Sequence, residues 1–153
     1  MIEDALSGTV CVRTARLGHL GCIILDRPER LNAVDLEMAL GIERALTAWR
    51  NDPSVQSVLI ESSAPRAFCA GGDLKAIRGV LLADGPDVAF DLMNRVYQTM
   101  VRIAQYAKPV VSFMDGIAMG GGVGLGAHAR YRVVTERSIV AMPETSIGLV
   151  PDA

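Results

Sequence analysis

The chain is poor in aromatic residues, with one tryptophan, three tyrosines and three phenylalanines among 153 residues, and it holds only two histidines and three cysteines. His19 and His128 stand apart and no thiols pair, so no ligand set for a metal is expected. Cys11, Cys22 and Cys69 are odd in number, widely spaced and without a C-x-x-C step. That excludes a disulfide framework and favours a reducing, cytoplasmic location. Charge is sparse and balanced, with 15 Lys and Arg against 17 Asp and Glu for a net −2. No broad electrostatic footprint for nucleic acid or an anionic membrane follows, and neither partner is expected. After Met1 neither a basic nor an apolar leader region is visible. Pro109 to Ala127 carries one charge, Asp115, but its six glycines speak against a membrane helix. No G-x-S-x-G elbow exists, which removes the serine-hydrolase reading.

What remains is apolar. Half of the residues are hydrophobic and only 21% are charged, so one domain over residues 1–153 with a substantial core is expected. Thr9 to Ala15 and Leu20 to Leu25 are β-branched-rich runs around Gly18-His19, the pattern of a hairpin. An apolar stripe from Leu31 to Trp49 has helical period, with Asp35 as N-cap, and predicts a helix from about Asp35 to Arg50. Val55 to Ile60 reads as a strand covered on both faces. A helix is expected over Leu74 to Leu82, broken at Ala83 to Pro86, and a longer one follows with Asp87 as cap. Val110 to Met114 is a further buried strand, Val123 to Ala129 a short helix, and Tyr131 to Thr135 and Ile139 to Met142 two more strands. Alternating strands and helices predict an α/β fold.

The glycine-rich stretch from Met119 to Gly126 is the first candidate site. Gly120, Gly121 and Gly122 let backbone N–H groups approach a ligand, either a phosphate or an oxyanion of acyl chemistry. Gly122 to Ala127 fits a loose G-x-G-x-x-A dinucleotide pattern, but Gly116 to Gly120 separates it from the preceding strand, which argues against that reading. Ala70-Gly71-Gly72 offers a second set of backbone donors, with Asp73 read as a helix cap. Glu144 and Asp152 are separated by a segment holding Gly148 and Pro151, so both can reach one cavity. Glu144 also fits the plainer role of a first-turn acid, and His128 that of a structural helix residue.

Three segments together carry a resemblance: Ala67 to Leu74, Gly116 to Leu125, and Met142 to Asp152. With Arg30-Leu31-Asn32-Ala33, they are similar to the crotonase (enoyl-CoA hydratase/isomerase) superfamily and, within it, to the 3-hydroxyisobutyryl-CoA hydrolases. The resemblance implies a ββα spiral that binds a bent acyl-CoA, with CoA as part of the substrate and no separate cofactor. By matching motifs, the N–H groups of Ala70 and Gly121 would form the oxyanion hole. Ala33, Ala70, Gly71, Gly72, Asp73, Leu74, Gly120 and Gly121 would line the CoA and substrate path. Hydratases of the superfamily carry a glutamate where this chain has Gly124, so only Glu144 of their catalytic pair remains, joined by Asp152. That is the hydrolase pattern, and it implies thioester hydrolysis in valine degradation. Val96 stands where the hydrolases commonly place a substrate-contacting glutamate. The family continues beyond the Pro-Asp step into C-terminal helices, so this chain is expected to be its N-terminal part, to form homo-oligomers or lean on the missing part, and alone to be weakly active.

Overall fold

A computed structural model describes residues 11–153. Thr9 and Val10, which open the first expected strand, lie outside the described residues, as do Met1 to Asp4. Strand β1 (Val12–Leu17) pairs antiparallel with β2 (Leu20–Leu25) in a register running from Val12 opposite Leu25 to Leu17 opposite Leu20. The turn between them is Gly18-His19, as the sequence predicts. Helix α1 (Leu36–Trp49) follows, and the Asp35 side chain accepts a hydrogen bond from the Met38 N–H. Its other end is closed by Lys108, whose ammonium donates to the carbonyls of Trp49 and Asp52. Capping of this kind satisfies carbonyls that have no partner within the helix.

Strand β3 (Ser57–Ser62) runs parallel to β2, and β5 (Val110–Met114) parallel to β3. Strand β3 starts two residues later than its apolar run, because Val55 is spent inside the turn that precedes it. Between β3 and β5 lie β4 (Ala67–Cys69), helix α2 (Leu74–Asp84) and the longer helix α3 (Pro86–Ala104). The break between the two helices falls at Gly85. Asp87, expected to cap α3, does not, since Pro86 already occupies the first helical position and Gly85 stands at the cap. Proline at that position is favoured because its missing N–H would be an orphan anyway.

After β5 come β6 (Ile117–Met119), helix α4 (Gly121–Ala127), β7 (Tyr131–Val134) and β8 (Ile139–Ala141). Five strands form one sheet in the order β1-β2-β3-β5-β7, parallel beyond the first pair, and β4-β6-β8 form a second, parallel one. The α/β expectation therefore holds. Strands β4 and β6 are additions to it: each is three residues long, too short for periodicity to show.

The core lies where α1 meets the large sheet and the small sheet meets α4. Ile23, Leu25, Met38, Ile42, Trp49, Val58, Ile60, Phe68 and Leu125 are at most 2% exposed. Burying each such side chain contributes about 1.5–3 kcal/mol. Ser112, also fully buried, donates its hydroxyl to the Gly126 carbonyl at 2.8 Å and so ties α4 to β5. The far side differs. Tyr131, Val133, Val134, Ile139 and Val140 of β7 and β8 are all at least 42% exposed. Among the described residues, no helix is long and apolar enough to cross a membrane.

Candidate active site

The loop that carries the first glycine pair is held from below by one cation. Arg27 follows β2, and its guanidinium Nη1 stands 2.9 Å from Asp73 Oδ2, 3.2 Å from Asp35 Oδ2 and 2.9 Å from the Ala33 carbonyl oxygen. Asp35 and Asp73 are themselves the N-caps of α1 and α2, so a single side chain ties both helix starts together. Burial alone pushes the Asp73 carboxyl up, but the Ala76 N–H and the Arg27 guanidinium outweigh it and hold the group below the usual carboxylate range. Beside Arg27, Leu31 and Asn32 both take left-handed backbone angles, φ 50 and 54. Asn32 is fully buried; it accepts from the Arg27 N–H and donates to Ser62 Oγ and the Phe68 carbonyl. This network fixes Ala67 to Asp73 relative to α1.

The second glycine loop packs directly on the first. Gly71 (φ 109) leaves only 3.0 Å between an added Cβ and the Met119 carbonyl, and Gly120 (φ 49) leaves 2.5 Å to Glu144 Oε1. Neither position has room or backbone geometry for a side chain. An added Cβ on Gly121 would stand 3.3 Å from the Gly72 nitrogen, so the two loops meet at these residues. Among the described residues, no turn, loop or cap hydrogen bond uses the N–H of Gly72 or of Gly121.

Ala70 does not share this property. Its N–H donates to the Leu31 carbonyl at 3.0 Å, which corrects the expectation that it belongs to an oxyanion hole. A donor already spent on a backbone carbonyl is not available to a ligand. The N–H groups of Gly71 and Gly72 are not spent in this way, and it is Gly72 that lies against Gly121.

A cleft of about 570 Å³ opens in front of this junction. Its apolar wall comes from Val34, Leu74 and Ile77 with Met93, Val96 and Met100 of α3. Gly72, Gly121, Glu144 and Asp152 complete it. Of the residues singled out from the sequence, Gly72, Leu74, Gly121, Glu144 and Asp152 thus share one cavity. Ala33, Ala70, Gly71, Asp73 and Gly120 lie behind it and shape the loops. His128 ends α4, is exposed, and lines a neighbouring cavity.

Glu144 begins a short 3-10 turn (Glu144–Ile147), so it is a first-turn acid as well as a cleft residue. Its Oε2 is buried and has no hydrogen-bond partner. A buried carboxylate oxygen without a partner is rare enough to call for a functional reason. Asp152 accepts a hydrogen bond from the Tyr97 hydroxyl. Tyr97 was not singled out from the sequence; α3 carries it to the cleft from 55 residues away, and no local pattern reveals that.

Gly124 also faces this region. A Cβ there would stand 2.5 Å from Met100 Sδ, 2.8 Å from Met100 Cε and 2.9 Å from Ala153 Cβ. A side chain at this position would have to displace the flexible end of Met100. Among the described residues, no group of three or more His, Cys, Asp and Glu side chains could hold a metal ion.

Against known proteins, residues 20–153 match the enoyl-CoA hydratase/isomerase family. The mitochondrial 3-hydroxyisobutyryl-CoA hydrolase of Rattus norvegicus is 46% identical over 94% of this chain, which spans 37% of that protein's length. A small ribosomal subunit protein, mS47 of Neurospora crassa, is 40% identical over 89% of the chain and 27% of its own. Among solved structures, an enoyl-CoA hydratase from Rhodobacter sphaeroides superposes with a TM-score of 0.87 at 46% identity, covering 93% of this chain and 42% of that one. The chain is a crotonase-fold member of the enoyl-CoA hydratase/isomerase family.

Proposed function

We propose that the polypeptide to which this chain belongs hydrolyses an acyl-CoA thioester of the 3-hydroxyisobutyryl-CoA type. The observation that carries this reading is the buried, unpartnered Glu144 oxygen, in one cleft with two unspent backbone donors and near a glycine at 124 that supplies no second carboxylate. The Gly72 and Gly121 N–H groups would receive the thioester carbonyl oxygen as it becomes an oxyanion. Each such donor is worth about 2.7–4 kcal/mol of barrier. Glu144 would take a proton from water while the hydroxide oxygen bonds to the acyl carbon; collapse of the tetrahedral species then breaks the C–S bond, and CoA leaves as the thiol with the proton returned. Direct attack by Glu144, giving a mixed anhydride that water then opens, uses the same atoms. Asp152 would seat the substrate hydroxyl or the water. No separate cofactor is needed, since CoA arrives with the substrate.

The test is release of free CoA from 3-hydroxyisobutyryl-CoA by the complete natural polypeptide, followed with a thiol reagent. Glu144→Gln is expected to lower the rate at least about 100-fold, the usual share of a general base. No thiol above buffer from the unaltered protein, or full activity in the variant, would sink the reading. A hydratase would instead hydrate a crotonyl thioester without losing CoA, and the absence of a carboxylate at Gly124 argues against that chemistry.

A second reading has its own support, because one relative is a ribosomal subunit protein and the β7 and β8 face is apolar and exposed. In it the chain is a module that binds CoA or another subunit without turnover, and the exposed face meets a second copy or the rest of the polypeptide. Calorimetry with CoA and the mass in solution separate the two. A cytoplasmic site of action remains part of the proposal, although the rat relative is named as mitochondrial.

A further inference from the structure

Asp152 lies on a segment without helix or strand. A carboxylate on such a segment needs something rigid to hold it if it is to meet a substrate at a fixed place. Among the described residues, the only side chain bonded to it is Tyr97, through a hydrogen bond from the phenol to Oδ2. Tyr97 is well suited to the task. It sits mid-way along the 19-residue helix α3, half-buried against the core, between Val96 and Met100, which are 8% and 4% exposed.

The donor direction follows from chemistry. An ionised carboxylate only accepts, so the phenol O–H must donate. Burial, then the hydrogen bond to Asp152 and the charges of Asp152 and Glu144, push the phenol up to about 12, so it stays protonated throughout the working range. With its hydrogen committed, the phenol oxygen is left with lone pairs alone, as is Asp152 Oδ1. This part of the cleft then offers acceptors.

We infer that Tyr97 is the positioning residue for Asp152, holding that carboxylate in the cleft it shares with Glu144 as an acceptor that selects substrates bearing a hydroxyl donor on the acyl group. The inference rests on the thioester-hydrolase reading and adds to it the residue that sets the acyl preference. A site arranged to pair with a hydroxyl rejects the analogue lacking it, because its polar groups are then left unpaired.

The experiment compares 3-hydroxyisobutyryl-CoA with isobutyryl-CoA on the complete polypeptide, for the unaltered protein, Tyr97→Phe, Asp152→Asn and the double variant. The kcat/KM ratio of the two thioesters is expected to fall about 10-fold in Tyr97→Phe, a loss of one good hydrogen bond. In the Asp152→Asn background, Tyr97→Phe should add no further change, because the two act as one unit. An unchanged ratio in Tyr97→Phe, or a second full loss in the double variant, overturns the inference. Ultraviolet titration of the tyrosines gives an independent readout that does not need turnover: Asp152→Asn should bring one phenol down from about 12 toward the ordinary value near 10. If the unaltered protein cleaves no thioester, the hydrolase reading fails on that ground alone. The titration then still decides the contact, since an unmoved phenol overturns it and a lowered one upholds Tyr97 as the holder of Asp152.

Discussion

Replacing Arg27 by alanine should cost more than any surface charge in this chain, and the size of the loss can be worked from its surroundings. The guanidinium is 17% exposed and stands between Asp73, at 10%, and Asp35, at 20%. Its removal leaves two carboxylates close together with no cation between them. Breaking one side of a buried pair typically costs about 3–5 kcal/mol; partial exposure and the surviving cap hydrogen bonds from Met38 and Ala76 favour the lower end, about 3 kcal/mol. For a chain of this size that corresponds to a fall in Tm of about 6–12 °C at neutral pH. The pH dependence gives the sharper check. The folded-state pKa of Asp73 is depressed, so its contribution is present above the unfolded value near 3.9 and is lost as pH falls through the lower folded value. In Arg27→Ala the carboxyl takes up its proton sooner, which also relieves repulsion with Asp35. The gap between the two proteins should therefore be widest near pH 7 and narrow below about pH 4. Thermal unfolding followed by circular dichroism across that range tests this. Equal melting at pH 7, or a gap that does not change with pH, would refute the account of Arg27 as the tie between two helix caps. Arg27→Lys should recover only part of the loss, since both carboxylates and the Ala33 carbonyl meet the one nitrogen Nη1, and the shorter lysine stem does not bring its ammonium to the same point.

Asn32→Ala should destabilise by about 3 kcal/mol, because the Arg27 N–H, Ser62 Oγ and the buried Phe68 carbonyl each lose a hydrogen bond at once; urea unfolding with an unchanged m-value checks it. Gly124→Glu should cost about 1–3 kcal/mol through overpacking against Met100 and should gain no hydration of a crotonyl thioester, while adding Met100→Ala should return part of the stability. The three thiols should resist a thiol reagent in the folded protein and all react in denaturant, since Cys11, Cys22 and Cys69 are buried and burial pushes Cys69 up to about 12. Rapid labelling of Cys69 without denaturant would contradict the packing of β4.

How much of this could be read before the fold was known depended on distance along the chain. The hairpin, α1 with its Asp35 cap, and β5 are local patterns of the right period, and the sequence reveals them. Strand β6 is held by pairing to β4 on one side and β8 on the other, partners 22 to 50 residues away in register, and three residues hold no period of their own. Arg27 escaped notice for the same reason, because its partners Asp35 and Asp73 meet only once α1 and α2 are docked. The site shows the limit of motif reading more finely. Ala70 and Gly72 sit in one short loop, and nothing in their identities says which N–H is spent; the Leu31 carbonyl decides it from 39 residues upstream, by way of a left-handed backbone. Tyr97 is a single aromatic on an amphipathic helix, where the ordinary expectation is a core contact.

The filling of the space above Gly124 also bears on how such a site could change over time. A carboxylate gained there meets first the thioether end of Met100, which must swing aside before the new group can reach a substrate. Shortening Met100 would also make room, but it removes a side chain buried in the core. Residues 100 and 124, on different helices, are therefore coupled through packing, and what can stand at one depends on how freely the other can move.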